Sequence, residues 1–360
     1  MPNALTIGTR HGSSATAHVL ATKLNRHTFW CGQSGSGKTY ALGVLLEQLI
    51  LGTRLPIVIL DPNSDFVRVK ELRDTAPDTA AAQWRQRDIR VLRPGDGEAD
   101  RLRVRFLGMT LQARAAVLRI DPIIDPEDYN AMLRLESHVQ TNLRGHLVQW
   151  LRDQDDPSWH RLALRLENLG IADLDVWAWG GEDLTQVIDQ RADATVIDLG
   201  GFATPIEPKA AALASLDHLW SRRHERIGRL IVIDEAHNLC SPDPATEIDR
   251  LLTERIVQIA AEGRKYGLWL LLSTQRPSKV HPNALSQCDN LALMKMSSLA
   301  DVAEIGRHLG YAPDDLLAQA PSFRQGQALF AGGFTEAPQI VQMGARLTQE
   351  GGFDVPIELR

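Results

Sequence analysis

The chain has 360 residues, of which 44% are hydrophobic and 23% charged, an ordinary balance for one large α/β domain or two smaller ones. With 39 Lys and Arg against 45 Asp and Glu the formal charge is −6, so the protein is no bulk polycation, and a partner such as DNA would need a local basic surface, for example a pore lining. Three cysteines, Cys31, Cys240 and Cys288, share no CxxC spacing, which argues against a disulfide framework or zinc site and fits a reducing cytoplasm.

Residues 1–26 are polar with small side chains and read as a strand or arm, without the charged start and apolar core of a secretory leader. The apolar run 27–31 enters a glycine-rich turn, and 39–51 has helical character closed by Gly52. The run 56–60 ends in Asp61-Pro62 and predicts a buried parallel strand. The most apolar long window, 41–60, is broken by Glu47, Gln48, Arg54 and Pro56, so no membrane span is expected and the setting is read as cytoplasmic. From 67 to 190 the chain is rich in Arg, Asp, Gln and Leu. Short strands are predicted at 89–92 and 102–106, and helices at 111–119, 127–150 and 159–169. Trp177 and Trp179, in a WAWGG run, are expected to pack beneath a loop. Strands return at 195–199, 229–233 and 268–273, alternating with helices at 209–226 and 247–265, and further strands are predicted at 290–296, 327–330 and 339–343. The alternation predicts an α/β fold with a mainly parallel, helix-covered sheet. The expected organisation is an N-terminal arm and the first part of the core in 1–66, a mostly helical insertion in 67–190, the remainder of the core in 191–345 and a C-terminal tail in 346–360.

Gly32, Gln33, Ser34, Gly35, Ser36, Gly37, Lys38 and Thr39 complete the P-loop pattern between a strand and a helix. The glycines let successive backbone N–H groups face phosphates, and the helix that follows adds its positive end. ATP with Mg²⁺ is the expected ligand. Lys38 would reach the β- and γ-phosphates, the Thr39 hydroxyl would ligate Mg²⁺, and Tyr40 would close the binding segment. The apolar run 230–233 delivers Asp234 and Glu235, Asp234 for the Mg²⁺ shell and Glu235 to polarise the attacking water. The plainer alternative is a strand end with two solvated acids. His237, in the run Asp-Glu-Ala-His, reads as a structural or coupling residue. Gln275, at the end of the next strand, either senses the γ-phosphate or belongs to a turn before Pro277. Arg264, on the turn 262–267, is either solvated or, in a ring of subunits, reaches a neighbour's γ-phosphate. Apolar strands intervene between the P-loop and Asp234. This favours the ATPase branch that inserts a strand between the P-loop strand and the Asp-Glu strand. A base-reading Asn/Thr-Lys-x-Asp motif and an LSGGQ segment are both missing, which argues against a GTPase and an ABC-type ATPase.

Five segments together resemble the HerA-like branch of the HerA–FtsK superfamily of DNA-translocating ATPases: RHTFWCGQSGSGKTY (26–40), ILDPNSDF (59–66), VIDLGGF (196–202), IVIDEAHNL (231–239) and EGRKYGLWLLLSTQRPSKV (262–280). The resemblance covers roughly 25–66 and 190–345 and is looser in the helical middle. It implies a RecA-like P-loop ATPase core, a homo-hexameric ring, ATP between subunits and duplex DNA in the central pore. It makes Lys38, Thr39, Asp234 and Glu235 the site within one subunit, Arg264 an arginine finger for the neighbour, and Gln275 a sensor. Lys209, Lys279 and His281, on loops 200–209 and 278–287, are candidates to meet DNA phosphates. HerA proteins carry an N-terminal β-barrel before the P-loop, whereas this P-loop begins at residue 32. The expectation is therefore a shortened HerA-like ATPase that works with a nuclease or other effector in DNA repair or antiviral defence. The rival is an ATP-controlled scaffold that gathers and gates an effector without translocation. A pump for conjugation or packaging would bring membrane segments.

Overall fold

The computed structural model describes residues 4–95, 100–138, 147–179 and 182–352. The chain opens with a hairpin, β1 (Ala4–Arg10) and β2 (Thr16–Leu20), and then enters β3 (His27–Cys31), α1 (Lys38–Gly52) and β4 (Ile57–Asp61). The middle of the chain holds α2 (Asp78–Trp84), β5 (Ile89–Leu92), α3 (Leu111–Leu118), α4 (Pro126–His138), α5 (Leu147–Arg152), α6 (Pro157–Asn168) and α7 (Leu184–Asp189). Next come β6 (Ala194–Asp198), α8 (Ile206–Ser221), β7 (Arg229–Ile233), α9 (Glu247–Glu262) and β8 (Leu268–Thr274). The last elements are α10 (Pro282–Leu285), β9 (Cys288–Met294), α11 (Leu299–His308), α12 (Asp314–Leu317), β10 (Gln327–Gly332) and β11 (Gln339–Met343).

All of these strands join one sheet in the order β2-β1-β11-β10-β9-β3-β8-β7-β4-β6-β5. From β9 to β5 every neighbouring pair is parallel, and the four strands beyond β9 are antiparallel. The central strands read as unbroken apolar runs because both faces are covered. Alternate residues of one strand enter different cores: Ile57 and Ile59 pack with α1 and the β1–β2 hairpin, whereas Val58 and Leu60 pack with the larger helical layer. Helix α1 is apolar on almost every side, as a helix enclosed by sheet and hairpin must be.

One expectation is corrected. The strand predicted at 102–106 is reduced to one isolated bridge, Val104 with Trp177, preceded by another between Arg93 and Arg101 and followed by a tight turn at Phe106–Gly108. Each bridge uses a different partner segment, so no continuous ladder forms. The helix predicted over 127–150 is seen as α4 and α5, and 139–146 lie outside the described residues. The tail read at 346–360 is packed at its start: Arg346 and Thr348 are buried, and Glu47 of α1 accepts the Leu347 and Thr348 N–H groups, both at 2.8 Å. Residues 353–360 lie outside the described residues. The stretch 67–190 also supplies β5, which pairs with β6 in the main sheet. Trp177 packs as expected, with its ring edge-on to Phe106 and its Nε1–H donated to Ile171 O at 2.6 Å.

Candidate active site

Parallel strands deliver their loops to one edge, and the residues that matter here all follow strand carboxyl ends. Cys31 ends β3, and the chain turns into the P-loop. Gly32 N–H donates to Thr274 O (3.3 Å), Gln33 N–H to Lys295 O (2.9 Å), and the Gln33 side-chain oxygen accepts Ser297 N–H at 2.7 Å. Across the loop, Gly326 N–H donates to Ser36 O at 2.9 Å. Gly35 and Gly37 have φ of +76° and +84°, a left-handed backbone that a side chain would strain. Ser34 and Gly35 form the exposed tip, while Ser36 and Lys38 are buried at its base. Lys38 starts α1, so the free N–H groups of a fifteen-residue helix point into the cradle.

The strand between the P-loop strand and the Asp234 strand is β8, the insertion the spacing favoured. Its Ser273 joins them. Lys38 Nζ donates to Asp234 Oδ1 at 2.7 Å and to Ser273 Oγ at 3.0 Å, and Ser273 Oγ–H donates to Asp234 Oδ1 at 2.6 Å. Lys38 Nζ also lies 3.2 Å from Glu235 Oε1. Glu235 has φ of +43°, rare for a residue with a side chain, and this turn brings its carboxylate back over the end of β8. There Gln275 donates twice, Nε2–H to Glu235 Oε1 at 2.8 Å and N–H to Glu235 Oε2 at 3.3 Å. His237 Nδ1 lies 3.3 Å from Glu235 Oε2 and 3.0 Å from Thr274 Oγ1. Burial alone would raise the Glu235 carboxyl. The His237 contact, the Lys38 charge and the Gln275 amide outweigh it and hold the group down at about 2.

A carboxylate set missed from the sequence closes the site. Asp61 ends β4, and Asp65 follows on a loop folded around it: Asp61 accepts Asp65 N–H at 3.0 Å and Phe66 N–H at 2.8 Å. Ser64 ties the same loop to β6 through Asp198 Oδ1 at 2.7 Å. Carboxylate oxygens of Asp61, Asp65 and Asp234 lie within 4.8 Å of one another. Thr39 Oγ1–H points to Asp65 Oδ2 at 3.4 Å. Desolvation, with the neighbouring acids, pushes Asp61 up to about 7 and Asp65 up to about 6. Asp234 Oδ2 is fully buried and has no partner among the described residues. An orphan carboxylate oxygen, two further acids and a hydroxyl fit a small divalent cation with oxygen ligands. The signal for Asp61 was present in the sequence, since 56–60 is an apolar strand ending in an acid, just as 230–233 is.

The remaining candidates fall elsewhere. Tyr40 turns toward the C-terminal segment, its hydroxyl accepting Arg346 N–H at 2.8 Å and its ring lying under Arg73. Arg264 sits on the turn Gly263–Tyr266 that enters β8, at the strand amino ends and so at the edge opposite its own P-loop. Its side chain is half exposed and meets Asp289 at 3.4 Å. Lys209 is tied to Asp249 at 2.7 Å, and His281 caps α10 by accepting Asn283 N–H. Lys279 is exposed.

The family model for the central domain of helicase HerA matches residues 5–169. The DNA double-strand break repair helicase HerA of Sulfolobus acidocaldarius is 32% identical over 369 residues, 94% of this chain and 68% of that protein. The chain belongs to the HerA family. Its matches to HerA of Sulfurisphaera tokodaii (32% identity over 32% of this chain) and to a probable HerA of Methanocaldococcus jannaschii (30% over 36%) span only 22% and 25% of those relatives. In fold it resembles VirB4 of Thermoanaerobacter pseudethanolicus (TM-score 0.63, 13% identity, 96% of this chain and 97% of that one). It also resembles the bacterial conjugative coupling protein TrwBΔN70 (TM-score 0.60, 13% identity, 98% and 92%). The HerA-family chain thus shares the α/β fold of these neighbours, with its P-loop at the carboxyl ends of the parallel strands. Among its described residues no helix is long and apolar enough to cross a membrane.

Proposed function

We propose that this HerA-family chain forms a hexameric ring of like subunits that couples ATP hydrolysis to movement along duplex DNA. A nuclease or other effector is its working partner, in DNA repair or antiviral defence. The observation that carries the reading is the split site. Lys38, Thr39, Asp234, Glu235 and Gln275 lie at the strand carboxyl ends, while Arg264 lies at the amino ends, away from its own P-loop, which supports a role at another subunit's phosphate.

Asp61, Asp65, Asp234 and Thr39 are the residues that would hold Mg²⁺, which supplies charge neutralisation at the β- and γ-phosphate oxygens when bound. The P-loop N–H groups bind the phosphates. Lys38 leaves its two acids and follows the negative charge of the nucleotide. Glu235, held ionised far below neutral pH, orients the attacking water through its carboxylate, and Gln275 fixes the carboxylate. A neighbour's Arg264 neutralises charge that grows in the transition state.

The test is the ATPase rate of the purified chain with and without long linear duplex DNA, measured alongside its mass in solution. Ring-sized particles stimulated by duplex in a length-dependent way are expected. A ring indifferent to DNA of any length would overturn translocation and leave the ATP-controlled scaffold.

A further inference from the structure

The amino ends of β7 and β8, opposite the P-loop, carry a second cluster of charged groups around a small cavity of about 20 Å³. Arg229 opens β7 and lines this cavity, only 6% exposed. Among the described residues its guanidinium makes no hydrogen bond and no ion pair. Arg223 lines the same cavity. Its Nη1–H donates to Trp220 O at 2.9 Å, its plane stacks 4.5 Å from the Trp220 ring, and its Nε is buried without a partner.

The two carboxylates in the cavity wall are already engaged. Asp189 is shared by His218 Nε2 at 2.9 Å and by Arg222, and Glu225 accepts Arg222 Nε–H at 2.6 Å. Arg229, buried, and Arg223, partly buried, are therefore left as two cationic donors lining one space. Arg191 crowds Arg229 further: burial first, and then the Arg191 charge, lower its hold on its proton. Arg226, Arg264 and Lys265 are exposed on the same edge of the sheet. Within a chain of net charge −6, this is a marked local excess of positive charge.

Planar guanidinium groups with free N–H donors match the oxygens of a phosphate better than any neutral ligand. The space accommodates about one or two oxygen atoms, with the rest of the group toward solvent. We propose that this cavity is an anion site, separate from the nucleotide site, in which Arg223 and Arg229 take the oxygens of a phosphate group. The phosphate belongs either to a nucleic-acid backbone or to a free phosphate ion. The argument stands on these residues alone and does not depend on the reading of the P-loop.

The test is calorimetric titration of the whole chain with inorganic phosphate, comparing the native protein with Arg229→Met and Arg223→Gln. The native chain is expected to bind one more phosphate than Arg229→Met, since any binding at the P-loop survives in both. Arg223→Gln, at a less buried position, should weaken the same site about tenfold by removing one charge-assisted donor, and Arg229→Lys should retain binding. Short duplex DNA then separates the sources. If the site takes backbone phosphate, Arg229→Met weakens duplex binding and lowers its salt slope by about 1. If it takes free phosphate, duplex binding is unchanged while phosphate binding is lost. Native stoichiometry and affinity for phosphate in both Arg229→Met and Arg223→Gln would overturn the proposal.

Discussion

Lys38 Nζ and Asp234 Oδ1 lie 2.7 Å apart at the ends of elements that the sheet separates by a whole strand, and their side chains are 4% and 0% exposed. Taking both charges out of water is costly, and their attraction offsets the cost only because Ser273 and Glu235 complete the polar contacts. One ammonium faces two carboxylates, so the pocket carries an excess of negative charge that a divalent cation relieves. Lys38 is thus held in reserve by the acids that it would leave when phosphates enter.

Lys38→Met is expected to abolish ATP turnover and, independently, to destabilise the nucleotide-free chain by about 3–5 kcal/mol, because Asp234 and Glu235 lose the buried ammonium that pairs with both. Urea unfolding at neutral pH measures this. Added Mg²⁺ should stabilise the variant more than the native chain. A variant as stable as native, with no added response to Mg²⁺, would remove the pair from the energetics.

Glu235→Gln should leave the fold and ATP binding intact and slow hydrolysis by at least about 100-fold. Gln275→Ala removes one hydrogen bond to that carboxylate, worth about 1 kcal/mol, and should lower kcat by roughly fivefold with KM nearly unchanged. Steady-state phosphate release over a range of ATP concentrations gives both numbers. A rise in KM at constant kcat would make Gln275 a binding residue instead.

Arg264 is half exposed and, among the described residues, pairs with Asp289 at 3.4 Å, so Arg264→Ala should shift stability by no more than about 0.5 kcal/mol. Its ATPase rate should nevertheless fall about 1,000-fold if the arginine serves a neighbouring site. Mixing Arg264→Ala with Lys38→Met subunits should recover part of the activity, because mixed rings contain some complete sites. No recovery in mixtures shown to co-assemble would speak against action across subunits.

His27 accepts Leu270 N–H at 2.9 Å within the sheet, and burial pushes its pKa down to about 4 from 6.5. Below pH 6.5 the unfolded chain takes up a proton at this position, whereas the folded chain does so only near pH 4. The unfolded state binds more protons in that window, so stability falls as pH drops through it, by up to ~3 kcal/mol at this group. The native-minus-variant difference in urea midpoint for His27→Gln should therefore shrink between pH 7 and pH 4. A difference independent of pH would exclude His27 as the titrating group.

Glu47, on α1, accepts Leu347 N–H, Thr348 N–H and the Thr348 hydroxyl at 2.8, 2.8 and 2.6 Å. Glu47→Leu strands these donors and the buried Arg346, and should cost about 3 kcal/mol or more. Hydrogen exchange should speed up at 346–351 and also at Asp65, whose carbonyl accepts Gly351 N–H at 2.9 Å. Unchanged exchange at Asp65 would show that the C-terminal segment does not support the loop.

The residues that could be read directly from the chain are those whose signal is local. The glycines of 32–37 impose a left-handed turn wherever they occur, and Lys38 and Thr39 follow them at fixed spacing. The strands 27–31, 229–233 and 268–273 were legible because a strand covered on both faces must be apolar throughout. Asp61 and Asp65 were harder. An acid after an apolar strand is ambiguous until another strand sets a second acid beside it, and Asp65 reaches the cluster only because Asp61 accepts two N–H groups of its loop. The strand predicted at 102–106 failed for a related reason: alternation describes one chain, and a ladder needs a partner of equal length.

The sequence by itself marked the glycine-rich turn at 32–37, the parallel core and the strand that ends in Asp234 and Glu235, because each follows from residue type and near-neighbour spacing. Only the tertiary structure decided that β8 lies between their strands, that Ser273 and Gln275 meet Asp234 and Glu235, that Arg264 faces away from its own site, and that the segment at 346–350 is buried. Those relationships depend on strand order and on contacts between distant parts of the chain. Burial gives them their strength, and no local pattern of residues encodes them.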